Sequence, residues 1–364
     1  MRGYELTYYR GRVGLHAILE ALGVGDGDEV ITQAYTCVAV PEAILATGAR
    51  PVFADVEARG LNIDVASMRA RITNATKAII AQHTFGLPAA MDEIMASAAE
   101  HGLPVIEDCC HTLSGRLGDR ALGEFGVASF YSYEWGKPLV VGVGGSVQVN
   151  DGELAIVMRA AHARYHRPSM LRQLKLGVQY VGFGAVYHPR LYWPVRSAFR
   201  RLSRLGAVEG NYNTIAPGEM DDDFRLDMAP MQRVLLAVKR RAIDSDAARR
   251  RTIVARYLEA LQPYDGLFPE PSGADVVYAR LPLQVSDKSG LLRAARKAGI
   301  ELAAWYTTPV HPFSDGELRD IGYQPGSCLQ AEKRCASVVS LPTHARVTDR
   351  FVDRACAFLK RGAG

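Results

Sequence analysis

From Gly11 to Val149 the chain alternates short apolar runs with segments of helical periodicity, and that alternation restricts the fold more than any other feature. Glu29-Val30-Ile31-Thr32, Pro51-Val52-Phe53-Ala54-Asp55-Val56, Lys77-Ala78-Ile79-Ile80-Ala81, Val105-Ile106 and Gly145-Ser146-Val147-Gln148-Val149 read as strands. Helices are predicted over 11–22, where apolar positions recur at three and four, over 39–47 and over 92–101. Strands joined by helical crossovers run parallel, and a parallel sheet needs both faces covered. The predicted class is therefore α/β, with a largely parallel, buried sheet. At 364 residues, 48% of them hydrophobic, the chain can bury a large core and a smaller C-terminal one, or form one extended α/β domain with a C-terminal lobe.

Residues able to do chemistry sit beside these strands. Ser129-Phe130-Tyr131-Ser132-Tyr133-Glu134-Trp135-Gly136-Lys137 leads into the glycine loop Gly142-Val143-Gly144-Gly145, so Lys137 is boxed in by apolar neighbours. Burial lowers an ammonium pKa, and a neutral amine adds to an aldehyde as a Schiff base. The competing reading is an ordinary surface lysine. Upstream, Pro104-Val105-Ile106-Glu107-Asp108-Cys109-Cys110-His111 ends an apolar strand in acidic residues. Strand ends of open α/β sheets bind ligands, and an aspartate there can keep a pyridine nitrogen protonated, which makes pyridoxal phosphate an electron sink. On its own, Asp108 would read as a helix N-cap. Gly11-Arg12 opens the first helix, whose free amides, helped by the Arg12 guanidinium, can hold a phosphate.

Composition removes other classes. A net charge of +4 is too mild for a chain-wide nucleic-acid binder. Cys37, Cys109, Cys110, Cys328, Cys335 and Cys356 have no metal-ligand or CxxC spacing, so no metal is expected and the thiols read as reduced and cytoplasmic. Met1-Arg2-Gly3-Tyr4-Glu5 has no apolar leader, and no stretch offers eighteen uncharged apolar residues for a membrane span.

The order of segments then resembles a known family. Gly27-Asp28-Glu29-Val30-Ile31, the run 48–56, Leu61-Asn62-Ile63-Asp64, the run 76–80, His83-Thr84-Phe85-Gly86-Leu87-Pro88, Met91-Asp92-Glu93-Ile94, Ile106-Glu107-Asp108 and the lysine with its glycine loop occur in the sequence typical of the DegT/DnrJ/EryC1/StrS pyridoxal-phosphate sugar aminotransferases. The resemblance is dense over about 10–155 and looser over 220–364. It implies fold type I, aspartate aminotransferase-like: a large domain at 1–240 with a mixed, mostly parallel sheet sandwiched by helices, and a smaller C-terminal α+β domain at 241–364. Lys137 would carry the cofactor and Asp108 would face its ring nitrogen. His111 would contact the 3-oxygen side, and Ser132 with Gly11 and Arg12 would hold the phosphate. Trp305-Tyr306-Thr307-Thr308-Pro309-Val310-His311 is similar to the family's tyrosine-proline-histidine stretch, which implies substrate contacts for Tyr306 and His311. The resemblance further implies an amino donor such as L-glutamate, a keto-sugar acceptor that is nucleotide-linked, and a homodimer.

Three departures accompany it. Cys37 stands where the family places a ring that stacks on the cofactor, and Gly11-Arg12 replaces a glycine-threonine step. Asp223-Phe224-Arg225 replaces Asn-Tyr-Arg, so Asp223 is expected to point away from the phosphate, with Arg12 or Arg225 compensating. Retention of Lys137 argues against the dehydrating branch, whose members carry histidine there. A different ketone such as a cyclitol, a dehydration, and a non-transaminating cofactor-binding partner protein stay open as alternatives.

The largest departure is an insertion at about 155–215. Between Leu154 and Val208 there is no acidic residue, against ten Lys or Arg, with Tyr180, Phe183, Tyr187, Tyr192, Trp193 and Phe199 interleaved. Such a stretch suits a peripheral membrane surface, an anionic carrier or a docking partner; the plainer reading is a solvated basic helical hairpin capping the cleft. Further on, one long helix is expected from Met231 through the Arg-rich 239–251 stretch to Leu261, then a strand over 276–281 and helices over 289–298 and 349–360.

Overall fold

The computed structural model describes residues 4–204, 208–209, 220 and 222–362. Seven strands form the central sheet: β1 (Tyr4–Tyr8), β2 (Glu29–Gln33), β3 (Arg50–Ala54), β4 (Thr76–Gln82), β5 (Val105–Asp108), β6 (Ala128–Ser132) and β7 (Gly145–Val149). They lie in the order β3-β2-β4-β5-β6-β7-β1. Pairing is parallel from β3 to β6, and β7 runs antiparallel to both β6 and β1. The central strands are buried almost end to end, as their unbroken apolar runs require. The edge strand β1 carries no such signal, because its residues alternate between exposed and covered positions.

In chain order the main helices are α1 (Gly11–Ala21), α2 (Ala39–Leu45), α3 (Met91–Glu100), α4 (Gly152–His162), α5 (Met170–Val186), α6 (Tyr192–Arg204), α7 (Pro230–Arg240) and α8 (Ile243–Leu261). Helices α1, α2 and α4 cover one face of the sheet through Leu15, Ile18, Ile44 and Leu154. Ile94 and Ala98 of α3 cover the other with Met68. The C-terminal part adds β8 (Arg280–Gln284) paired antiparallel with β9 (Val338–Pro342), and helices α9 (Lys288–Ala298), α10 (Leu329–Ser337) and α11 (Asp349–Gly362). Its core is continuous with Tyr35, Phe53 and Phe85 of the first part, so the two halves share apolar burial.

Three sequence expectations change. The long helix is broken at Arg241 and Ala242 into α7 and α8. The reason is legible in the charges: Lys239 and Arg240 close one helix at its negative end, and Asp244 and Asp246 open the next at its positive end. The basic stretch forms three helices, α4 to α6, rather than a hairpin. Its middle, where α5 gives way to α6, is stapled to the C-terminal half by Trp193 Nε1, which donates to the Ile300 carbonyl at 2.8 Å, and by the Tyr187 hydroxyl, 3.2 Å from Glu301. The strand expected at 276–281 begins only at Arg280. Before it the chain crosses the Phe85-Gly86 turn, where a Cβ on Gly86 would sit 2.4 Å from the Val277 carbonyl oxygen.

Candidate active site

Parallel pairing carries the C-terminal ends of the central strands to one edge. Asp108 ends β5 in register with Gln82 and Phe130, and Ser132 ends β6 beside it. Helix α1 begins at the same edge. A Cβ on Gly11 would lie 3.0 Å from the Ser132 Cβ and 3.2 Å from the Tyr131 carbonyl oxygen, so the helix N-terminus reaches the strand only because residue 11 lacks a side chain. After β6 the chain turns through Gly136, at φ 87°, and the Lys137 N–H donates to the Glu134 carbonyl at 3.2 Å. Lys137, Asp108, His111 and Tyr306 line one cleft. Gly11, Arg12, Ser132 and Cys37 complete its walls.

Tyr306 arrives from the other half of the chain because Val310–His311 pairs in parallel with Thr36–Cys37. His311 is not in the cleft wall. It lies behind Tyr306, ring centroids 5.7 Å apart, with its Nδ1 2.8 Å from the Thr307 hydroxyl. Burial, with the cations Arg200, Arg196 and Lys288, pushes His311 down to about 4, so its imidazole is neutral near pH 7.

Lys137 corrects the sequence argument. Burial does work to lower its ammonium, but Cys110, Cys37, Asp108 and Glu134 together outweigh it, and the pKa is raised. In the protein alone the amine is held charged, and its neutral form must come from what binds in the cleft. Burial pushes the Asp108 carboxyl up, against the pull of Lys137 and of the Cys110 N–H, which donates to Oδ1 at 2.9 Å. Burial and then Lys137 hold His111 well below the usual histidine range, hence neutral. Its Nδ1 accepts from the Phe85 N–H at 3.3 Å, which leaves the ring proton on Nε2, 3.5 Å from the Tyr306 hydroxyl. The ring stacks at 5.3 Å on Trp305.

At the other end of the cleft, Arg12 Nη1 donates to Glu42 at 3.2 Å, and its Nη2 is 3.5 Å from Asp223. Asp223 is itself buried and held by Arg10 Nε at 2.7 Å and by Arg172 of α5. It therefore points at arginines, as its repulsion from a phosphate requires. Arg225 is a correction: within this chain its guanidinium is exposed, 3.5 Å from Glu20, and does not line the cleft.

The donor set suits pyridoxal phosphate. A buried carboxylate at Asp108 matches a protonated ring nitrogen, and an amine at Lys137 matches the aldehyde. The N-terminus of α1, the Ser132 hydroxyl and Arg12 match a phosphate dianion, in the space that a Cβ at residue 11 would fill. Several supporting groups escape sequence reasoning because their partners are remote. Glu134 lies in the cleft wall 3.2 Å from Arg10. Arg250 donates to the Pro138 carbonyl at 2.9 Å, fixing the loop just after Lys137. Lys288, pushed down to about 8 by burial, donates to the Tyr306 carbonyl at 2.7 Å. Arg250, inside an arginine run, and Lys288, in a polar stretch, carry no local mark that sets them apart from surface cations.

A mixed, mostly parallel sheet flanked by helices, with lysine and aspartate in a cleft at its edge, defines a protein of pyridoxal-phosphate fold type I. The profile of the DegT/DnrJ/EryC1/StrS aminotransferase family matches residues 3–185 and 196–360, and the chain belongs to that family, whose aminotransferases are pyridoxal-phosphate-dependent. It is 31% identical to the UDP-N-acetyl-3-dehydro-alpha-D-glucosamine 3-aminotransferase of Acidithiobacillus ferrooxidans, over 96% of this chain and 82% of that one. It is also 31% identical to a pleiotropic regulatory protein of Geobacillus stearothermophilus, over 91% and 77%. Among solved structures it is similar to S. venezuelae DesV in complex with a ketimine intermediate, with a TM-score of 0.74, 25% identity, and coverage of 99% of this chain and 84% of that one. Sugar aminotransferases among these relatives support a sugar aminotransferase. Among the described residues no helix is long and apolar enough to cross a membrane.

Proposed function

We propose that this chain transfers an amino group from an amino acid, L-glutamate in our reading, to a nucleotide-linked keto-sugar, as a cytoplasmic homodimer. The observation that carries this is a buried Asp108 and a half-buried Lys137 lining one cleft whose far end is the N-terminus of α1. In this reading residues 1–240 bind the cofactor and 241–364 form the smaller domain that brings Tyr306 toward the acceptor, with His311 supporting it from behind. When bound, pyridoxal phosphate supplies an aldehyde for amine exchange and a ring that spreads carbanion charge. Lys137 Nζ would hold the cofactor and, once free, would be the base placed to take the proton from the donor α-carbon. Asp108 keeps a proton on the ring nitrogen, against which its raised carboxyl pKa is drawn back down by the new positive charge. The α1 amides, Ser132 and Arg12 grip the phosphate, with Glu42 and Asp223 holding the guanidinium in place. His111, neutral and fixed by Trp305 and Phe85, would contact the cofactor on its 3-oxygen side.

The test is turnover with pyridoxal phosphate, L-glutamate and a UDP- or dTDP-linked keto-sugar, with the products read by mass spectrometry. Amino-sugar and 2-oxoglutarate in equal amounts are expected. Cofactor binding without amine transfer from any amino acid would favour the non-transaminating alternative.

A further inference from the structure

Helix α5 is built inside out. Its polar side chains face the protein: Arg172 reaches Asp223, Lys175 lies 3.7 Å from Glu209, and Gln179 Nε2 donates to the Glu209 carbonyl at 3.0 Å. The aromatic rings of the same side pack on the lysine loop, with Phe183 4.5 Å and Tyr180 6.3 Å from Trp135. The opposite side is a row of apolar residues open to solvent. Met170, Leu171, Leu174, Val178 and Val181 are 79%, 78%, 66%, 67% and 71% exposed, at the spacing that places them along one helix face. A monomeric protein in water rarely leaves such a continuous stripe uncovered.

We propose that this stripe lies on a bilayer surface carrying anionic lipid headgroups, with α5 parallel to the membrane plane. Charge selects this occupant. Exposed Arg164 and Arg167 immediately precede the stripe along the chain, exposed Arg190 follows it, and no acidic residue occurs between Leu154 and Val208. An anionic surface complements that pattern, whereas a two-fold contact with a second copy through the same patch would set basic against basic. The helix is too short and interrupted by too much charge to span, so it docks rather than inserts. Because its inner face packs on Trp135, docking sets the lysine loop on the opposite side of α5 from the membrane.

The full chain loaded with pyridoxal phosphate is sedimented with vesicles of phosphatidylcholine alone, or with added phosphatidylglycerol. Binding to the phosphatidylglycerol vesicles that weakens with salt is expected, and about tenfold weaker binding for Leu174→Glu/Val178→Glu and for Arg164→Glu/Arg167→Glu. All four substitutions replace exposed residues, and a thermal melt checks that each protein is folded. Light scattering of the same proteins is expected to give an unchanged mass. The proposal is overturned if wild type stays in the supernatant with both vesicles, if Leu174→Glu/Val178→Glu binds as wild type, or if that variant lowers the mass, which would assign the stripe to a second copy.

Discussion

The two faces of β5 carry adjacent carboxylates that the fold treats in opposite ways. Glu107 points away from the cleft and is saturated: Oε1 accepts from the Phe125 and Gly126 N–H groups at 2.6 and 2.8 Å, and Oε2 from the Gly123 N–H at 2.7 Å with His83 Nε2 at 3.1 Å. These donors overcome burial and hold its carboxyl below the usual range. Asp108 faces the cleft with far fewer donors, and burial raises it. His83, Glu107 and Cys109 have metal-like proximity, yet the Glu107 oxygens are already committed to that protein cage. A buried charge with all its hydrogen bonds made is foundation; one left short of partners is a place where something binds.

Substitutions separate the two roles, beginning with the largest effect. Lys137→Ala is expected to lower amine transfer about 10⁴-fold in a steady-state assay, with the fold intact by circular dichroism. Asp108→Asn is expected to lower kcat about 10²- to 10³-fold. The same change raises the melting temperature of the cofactor-free protein, because a strained buried charge is removed. Glu107→Gln reverses that pattern: a cost of about 1–3 kcal/mol in urea unfolding, since one side of its cage then faces an amide nitrogen, and unchanged kcat per folded molecule.

The smallest effect is in the pH dependence of stability. Glu107, lowered from 4.5 in the folded state, contributes stability above its unfolded value that is lost as pH falls through its folded one. Asp108, raised from 3.8, acts with the opposite sign, its contribution being lost as pH rises through its folded value. Unfolding of cofactor-free protein between about pH 3 and 6 is expected to lose acid sensitivity in Glu107→Gln and to gain stability toward neutral pH in Asp108→Asn.

The sheet and most of the cleft were legible because their signals are local. Apolar runs marked the strands, and Asp108, Ser132, Lys137 and Gly11 sit at strand and helix ends that parallel pairing must bring together. What stayed hidden depends on distant partners. Arg10 meets Asp223 across 213 positions of chain, and nothing near either residue announces it. Arg225 belongs to the quoted motif but turns to Glu20, which no motif encodes. The lysine's charge was misjudged for the same reason: burial is local and readable, whereas Cys37, Asp108 and Cys110, which with Glu134 outweigh it, come from two other segments. The absence of acids in the insertion was plain, but the inward turn of its cations in α5 follows only from where Glu209 and Asp223 lie.

The most direct measurement is the visible absorbance of wild type and Lys137→Ala titrated with pyridoxal phosphate and then with L-glutamate. A new band that forms only when Lys137 is present and is bleached by glutamate is the expected result. An identical band in Lys137→Ala, or none in wild type at saturating cofactor, would contradict the assignment of this cleft.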